Sequence, residues 1–379
     1  MDLLQRMVDD IGALVVAESP TADLLAVARC GEVVARLGTE LLGVAPERIA
    51  VDGREHLRWR LGDGPNRVLL LGHHDTVWPV GSLAAHPFTV IDGVLRGPGC
   101  FDMKAGLVIA LHAAAALPPG TAVTILSTAD EEIGSPSSRA LIEAEATGCV
   151  AALVLEASAD GGALKLERKG VSQYWVRATG RASHAGLEPE RGVNATIELA
   201  HQVLAVAGFG DADRGTTVTP TALSSGTTSN TVPAGGEFTV DVRARDVGEQ
   251  KRVDDLMQGL RPRLADSRLE ILGGPNRPPL AASASADLFE RACALAAELG
   301  QPPLTGVAVG GGSDGNFTAG VGTPTLDGLG AVGGGAHADD EHVLVSELPG
   351  RVALIAALVG RLASVPATKS AAPTGTDRP

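Results

Sequence analysis

Residues 67–158 decide the fold: RVLLLGHHD (67–75), MKAGLVIALHAAAAL (103–117), TAVTILSTADEE (121–132), SPSSRALIEAEA (135–146) and CVAALVLEAS (149–158). Short apolar runs alternate here with stretches of helical length, which implies crossover units and a mostly parallel sheet. Val123 to Leu126 and Ala151 to Leu155 are apolar without alternation, as expected of strands covered on both faces. The fold class is therefore α/β.

Metal-capable groups gather where these apolar runs end. In an extended strand residues two apart share a face, so His73 and Asp75 in GHHDTV point the same way beyond RVLLL. His73 can then bind a metal while Asp75 orients its other ring nitrogen, a partnership that metal-bound histidines usually need. His74 faces away. Glu131 and Glu132 end one run, Glu156 ends another, and Asp102 lies in the RGPGCFDMKAG loop. Ligands of open α/β sheets bind at that carboxyl edge. A mixture of carboxylate oxygen and imidazole nitrogen suits zinc or a neighbouring first-row metal, whereas calcium would want oxygen alone. Adjacent Glu131 and Glu132 point in different directions, so one can bind metal and the other take a proton from an activated water, the division of labour that hydrolysis requires.

Beyond this core the texture changes. VSQYWVRATG, TTVTPTALSSG, GEFTVDVRARD and SRLEILGGP read as strands, with helical stretches near 193–206 and 247–264. The order strand, helix, strand, strand, helix, strand is a split βαβ arrangement, and Phe238, Val240 and Val242 alternate with polar residues as in a sheet wet on one face. An inserted α+β domain over 171–279 is expected, within a catalytic domain made of 1–170 and 280–366. The polar tail, 367–379, is expected to be disordered. At roughly 150 residues per domain, 379 residues of 44% hydrophobic content suffice for this.

Composition excludes other classes. The net charge of −14, with no block of Lys or Arg, argues against a nucleic-acid partner. Cys30, Cys100, Cys149 and Cys293 form no CxxC pair or disulfide framework. The first residues carry Asp2, Asp9 and Asp10 where an export signal needs a basic and then an apolar stretch, and no apolar run approaches the ~20 residues of a membrane span. A cytoplasmic protein is expected.

Taken together, GHxDTV, RGPGxxDxKxG, DEExGS, LE, SHAG, and GGGSDG followed by GAHADDEHV resemble the dizinc exopeptidase family that contains glutamate carboxypeptidase, aminoacylase and acetylornithine deacetylase. The resemblance runs through nearly the whole chain after residue 65 and is closest to the glutamate carboxypeptidase branch. It implies that Asp102 bridges two zinc ions (cobalt or manganese being alternatives), with His73 and Glu156 completing one site and Glu132 and His337 the other. It also implies that Glu131 is the acid/base, that Asp75 supports His73, and that the peptide after Asp102 is cis. Met103 stands where relatives often have another acid. The inserted domain becomes a lid and dimerisation domain, whose His184 reaches the partner subunit's site to stabilise the oxyanion; Asn230 has a similar role.

The implied reaction is hydrolysis of an amide next to a free carboxylate in a small peptide, releasing a C-terminal amino acid such as glutamate. Arg243, after VDVRARD, and Arg277, in GPNRPP, match positions that hold the substrate carboxylate, and a guanidinium suits that task as a bidentate fork. Deacylation of an N-acyl amino acid uses the same metals and base and is the alternative. Two remoter readings compete. Gly311, Ser313 and Gly315 spell the G-x-S-x-G elbow of a serine hydrolase, which would leave the carboxylates unexplained. Gly328, Gly330 and Gly333 spell G-x-G-x-x-G, but no apolar helix follows. A non-catalytic binding protein would not need Glu131 together with all five ligand positions.

Overall fold

The computed structural model describes residues 2–364; the expected tail, 367–379, lies outside the described residues. The chain divides into two compact units. The first comprises residues up to 164 with 288–305 and the chain from 323 onward; the second comprises 165–287 and 306–322. The second is wider than the 171–279 read from the sequence. Strand Leu164–Arg168 pairs with Gly306–Val309, and the Arg168 amide donates to the Leu280 carbonyl at 3.0 Å, so these flanks stay with it.

The first unit is built on a six-stranded sheet in the order Glu47–Val51, Arg54–Leu61, Val123–Thr128, Val68–His73, Ala151–Val154, Thr325–Leu326. Its last four strands are parallel, and the first two form an antiparallel edge hairpin. The mostly parallel α/β sheet expected from the sequence is what the chain forms. Every residue of Val68–His73, Val123–Thr128 and Ala151–Val154 is buried, which is why these strands are apolar throughout. Register decides the site: Leu71 lies opposite both Leu126 and Val154. The chain segments after residues 73, 128 and 154 therefore leave the sheet at one edge.

Helices close over the sheet. Leu24–Leu42 starts at Asp23, whose carboxylate accepts from the Leu25 and Ala26 amides, and stops at Gly43 in the left-handed region; such a cap contributes about 1 kcal/mol. Ala105–Ala115 is buried along nearly its whole length. Its Gly106 is required by close approach, because a Cβ there would lie 2.0 Å from the Leu155 carbonyl oxygen, and Gly330 meets the same oxygen at 2.1 Å. Two glycines thus clamp the backbone immediately before Glu156.

The second unit contains the expected order: strand Gly170–Thr179, helix Ala195–Ala207, strands Thr217–Ser225 and Gly235–Ala244, helix Val247–Gln258 and strand Arg268–Arg277. The four strands of this order form one antiparallel sheet, with Gly170–Thr179 between Gly235–Ala244 and Arg268–Arg277. Tyr174, Val176, Phe238, Val240 and Val242 pack against Leu199, Val206, Val253 and Met257 of the two helices. Asn194 and Asp246 cap those helices. Among the described residues no helix is long and apolar enough to cross a membrane.

Candidate metal centre

The sheet edge brings His73, Asp102, Glu132, Glu156 and His337 together within the first unit. His73 Nε2 lies 3.4 Å from Asp102 Oδ1 and 3.5 Å from Glu156 Oε1. His337 Nε2 lies 3.3 Å from both Asp102 Oδ2 and Glu132 Oε2. Asp102 therefore offers one oxygen to each histidine. Glu131 joins His73 and Glu156 in a second triad whose ligand atoms fall within 4.8 Å of one another, beside the triad of His73, Asp102 and Glu132.

These spacings fit a metal better than they fit hydrogen bonds. Two ligands each about 2.0–2.1 Å from a tetrahedral ion sit about 3.3–3.5 Å apart. His73 Nε2 and Glu132 Oε1 are buried without a hydrogen-bond partner, a costly state unless an ion answers it. Nitrogen and carboxylate oxygen are the donors that zinc, cobalt and manganese accept.

The carboxylates and imidazoles of the cluster also act on one another. Burial opposes a charge on His73, but Asp102, Asp75 and Glu156 outweigh it and raise its pKa well above the ordinary value. Asp102 and then Glu132 raise His337 to about 10. The imidazoles of His337 and His73 overcome burial to hold the Asp102 carboxyl below its usual range, whereas burial dominates at Glu132 and raises it.

Each of these side chains is set by its local chain. His73 ends its strand, and its Nδ1 lies 2.9 Å from the backbone carbonyl of Asp75, closer than the 3.4 Å to the Asp75 carboxylate. The orientation of His73 thus comes first from the Asp75 main chain. The Asp75 carboxylate, fully buried, does something the sequence did not disclose: it accepts from Thr21 Oγ1 at 2.7 Å and from the amides of Glu131 and Glu132 at 3.2 and 3.3 Å. It caps the short 3-10 turn Glu131–Ile133, which carries the expected acid/base Glu131 and the candidate ligand Glu132. Asp130 fastens the other side of that turn, accepting from the Ser137 amide and from the Ser137 and Ser138 hydroxyls at 2.6–2.7 Å. Asp102 sits at a cis peptide to Met103, as the resemblance implied. Met103 is buried beneath the strand, its sulfur accepting from the His73 amide at 3.3 Å. His337 adopts φ of +62° in its loop.

A model of "Peptidase family M20/M25/M40" matches residues 69–361. The chain belongs to this family. As an M20 protein it is a hydrolase. It is 33% identical to carboxypeptidase G2 of Pseudomonas sp. strain RS-16 over 312 residues, covering 79% of this chain and 74% of that one. It is 29% identical to a succinyl-diaminopimelate desuccinylase of Ruegeria pomeroyi over 337 residues, covering 81% and 86%. Its fold matches an M20 family metallo-carboxypeptidase of Sulfolobus solfataricus with a TM-score of 0.75, at 16% identity over 96% of this chain and all of the other.

The remaining expected residues lie in the second unit. His184 and Asn230 are exposed neighbours: His184 bridges to Thr231, and the Ala185 amide donates to the Asn230 carbonyl at 2.9 Å. Arg243 and Arg277 both pair in register with Val171 of the strand between them, which puts them on one face of the sheet. Both guanidinium groups are already engaged. Arg243 grips Asp241 through two hydrogen bonds of 2.9 Å, and the buried Arg277 meets Asp314 at 3.2 Å and stacks over the Phe317 ring. Ser313 of the G-x-S-x-G stretch is fully buried, its hydroxyl accepting from the Gly315 amide, and His337 is committed to Asp102 and Glu132. Nothing there forms a nucleophile elbow.

Proposed function

We propose that this M20 hydrolase cleaves an amide bond adjacent to a free carboxylate, using two zinc ions, or cobalt or manganese, and releasing a C-terminal amino acid such as glutamate. The observation that carries the reading is the cluster at the sheet edge, in which Asp102 stands between His73 and His337 at 3.3–3.4 Å. Asp102 with His73 and Glu156 would hold one ion, and Asp102 with Glu132 and His337 the other. Bound divalent metal lowers the pKa of water from ~15.7 towards ~7 and polarises a carbonyl. Glu131, held by Asp75 through its own amide, takes the proton from the attacking water and passes it to the leaving nitrogen. Its burial beside His73 and Glu156 keeps that transfer out of bulk solvent.

His184 and Asn230 would stabilise the oxyanion. We assign the expected domain 171–279 to a homodimer in which His184 serves the partner subunit. A His184→Ala variant is expected to lose roughly 10²–10³ in kcat, the worth of one oxyanion donor, while sedimentation of the wild type finds a dimer. A fully active monomer, or an unimpaired variant, contradicts this. We also propose a cytoplasmic location, in keeping with Cys30, Cys100, Cys149 and Cys293 being free thiols.

Arg277, with Arg243 on the same face, would anchor the substrate carboxylate. Charge-assisted hydrogen bonds are worth about 1.5–3 kcal/mol, so Arg277→Ala is expected to lower kcat/KM tenfold to a hundredfold on free acids and little on amidated C-termini. Equal rates on both, or an unchanged kcat/KM, would count against it. The likeness to a desuccinylase favours a second reading, deacylation of an N-acyl amino acid by the same residues. Folate-like glutamyl amides, dipeptides and N-acyl amino acids assayed side by side separate the two: preference for glutamyl amides supports the carboxypeptidase, and preference for short acyl groups the deacylase.

A further inference from the structure

The loop that carries Asp102 is held by a carboxylate from a distant part of the sequence. Strand His342–Leu344 pairs with Val94–Arg96, His342 opposite Arg96, and the Arg96 guanidinium donates to the Asp340 carbonyl at 3.0 Å. This pairing sets Glu341 beside residues 97–102. Glu341 is 3% exposed, and both of its oxygens are filled. Oε1 accepts from the amides of Phe101 and Asp102 at 2.9 and 3.0 Å; Oε2 accepts from the Gly99 amide at 2.8 Å and the Trp78 indole at 2.7 Å. The three amides form a concave donor nest of the kind that binds anions, and Gly99 shapes it at φ of +70°. A Cβ at Gly99 would lie 2.5 Å from Thr76. At its own end, the Glu341 amide donates to Ala338, the residue after His337, at 3.0 Å.

We infer that Glu341 is a positioning residue for the metal pair, one carboxylate that locks the Asp102 loop to the His337 loop and so fixes the separation of two ligands from opposite ends of the chain. The inference rests on the dinuclear reading above. All four partners donate, so the group must be a pure acceptor, which an ionised carboxylate is and an amide is not. Glu341→Gln turns an NH₂ towards two of the four donors and releases them. Groups that orient metal ligands typically cost tenfold to a hundredfold in metal affinity or activity when altered.

The test is a calorimetric zinc titration of chelator-stripped full-length protein: wild type, Glu341→Gln, Glu341→Asp, and Asp339→Asn as a control on the same loop, its side chain 90% exposed. Apo melting temperatures and absorption spectra of the cobalt-loaded proteins are recorded alongside. Glu341→Gln is expected to weaken zinc binding at least tenfold, change the cobalt spectrum and lower kcat more than it alters KM, with Asp339→Asn matching the wild type. Zinc affinity within threefold of the wild type with an unchanged cobalt spectrum, whatever the melting temperature, overturns the inference and leaves the dinuclear reading intact. A wild type that takes up no metal pair removes that reading itself. If Glu341→Gln does not fold, Glu341→Asp is judged by the same measures; if neither folds, the role is one of folding and the positioning inference is overturned.

Discussion

Glu131→Gln is expected to abolish turnover and keep both metals, whereas its neighbour Glu132→Gln loses metal as well. The two side chains leave one turn, and the Asp75 carboxylate holds both amides. Their surroundings divide them. Glu132 Oε2 lies 3.3 Å from His337 Nε2, and its other oxygen is buried without a partner, the environment of a ligand. Glu131 lies beside His73 and Glu156, their ligand atoms within 4.8 Å of one another, near enough for proton transfer through one water. Glutamine preserves the side chain's shape but cannot take up a proton, so losing the base alone costs roughly 10²–10⁴ in rate. Metal content by elemental analysis and kcat, measured on both variants, decide the assignment. Matching metal content and matching rates would show that the pair has no such division.

Metal removal is expected to have the other large effect. Dialysis against a chelator should eliminate turnover, and restoring zinc, cobalt or manganese should recover it. Protons compete for the empty cluster. His337 is raised to about 10 by Asp102 and Glu132, and His73 is raised by its three carboxylate neighbours, so at neutral pH the metal-free imidazoles carry protons and cannot ligate. Metal uptake must then release protons, and apparent affinity should climb as pH rises towards 10 and fall as pH drops. Calorimetry in buffers of different ionisation enthalpy reads this directly. Uptake at neutral pH with no proton release would contradict the charge arrangement described for the cluster.

What the sequence disclosed, and what it did not, follows from how local each signal is. The strands Val68–His73, Val123–Thr128 and Ala151–Val154 are apolar because they are buried on both faces, and a candidate ligand or base at the end of each is visible in the same short window. Two residues apart on a strand is a local spacing too, so His73 and Asp75 were legible as a pair. The second unit showed its helices and its alternating Phe238, Val240 and Val242 for the same reason. The edge hairpin Glu47–Leu61 was not read: its charged residues pair with one another across the strands and along the surface, as Arg48 does with Glu55 and Glu32, and this masks the apolar Leu57 and Trp59. His337 sits in a glycine-rich loop with no periodicity, so only the family resemblance pointed to it. Thr21, Glu341 and Asp314 act on partners far away in the chain, and no local pattern marks them. The engagement of Arg277 by Asp314 belongs to the same class, since nothing in GPNRPP announces an aspartate 37 residues later.

The most direct measurement is a back-titration of metal into chelator-stripped wild-type protein, following bound metal per chain and turnover together. Bound metal is expected to saturate at two ions per chain, with full turnover only as the second site fills, because Asp102 serves both histidines. Full activity at one ion per chain, or activity that survives stripping with only trace metal left, would contradict the dinuclear centre.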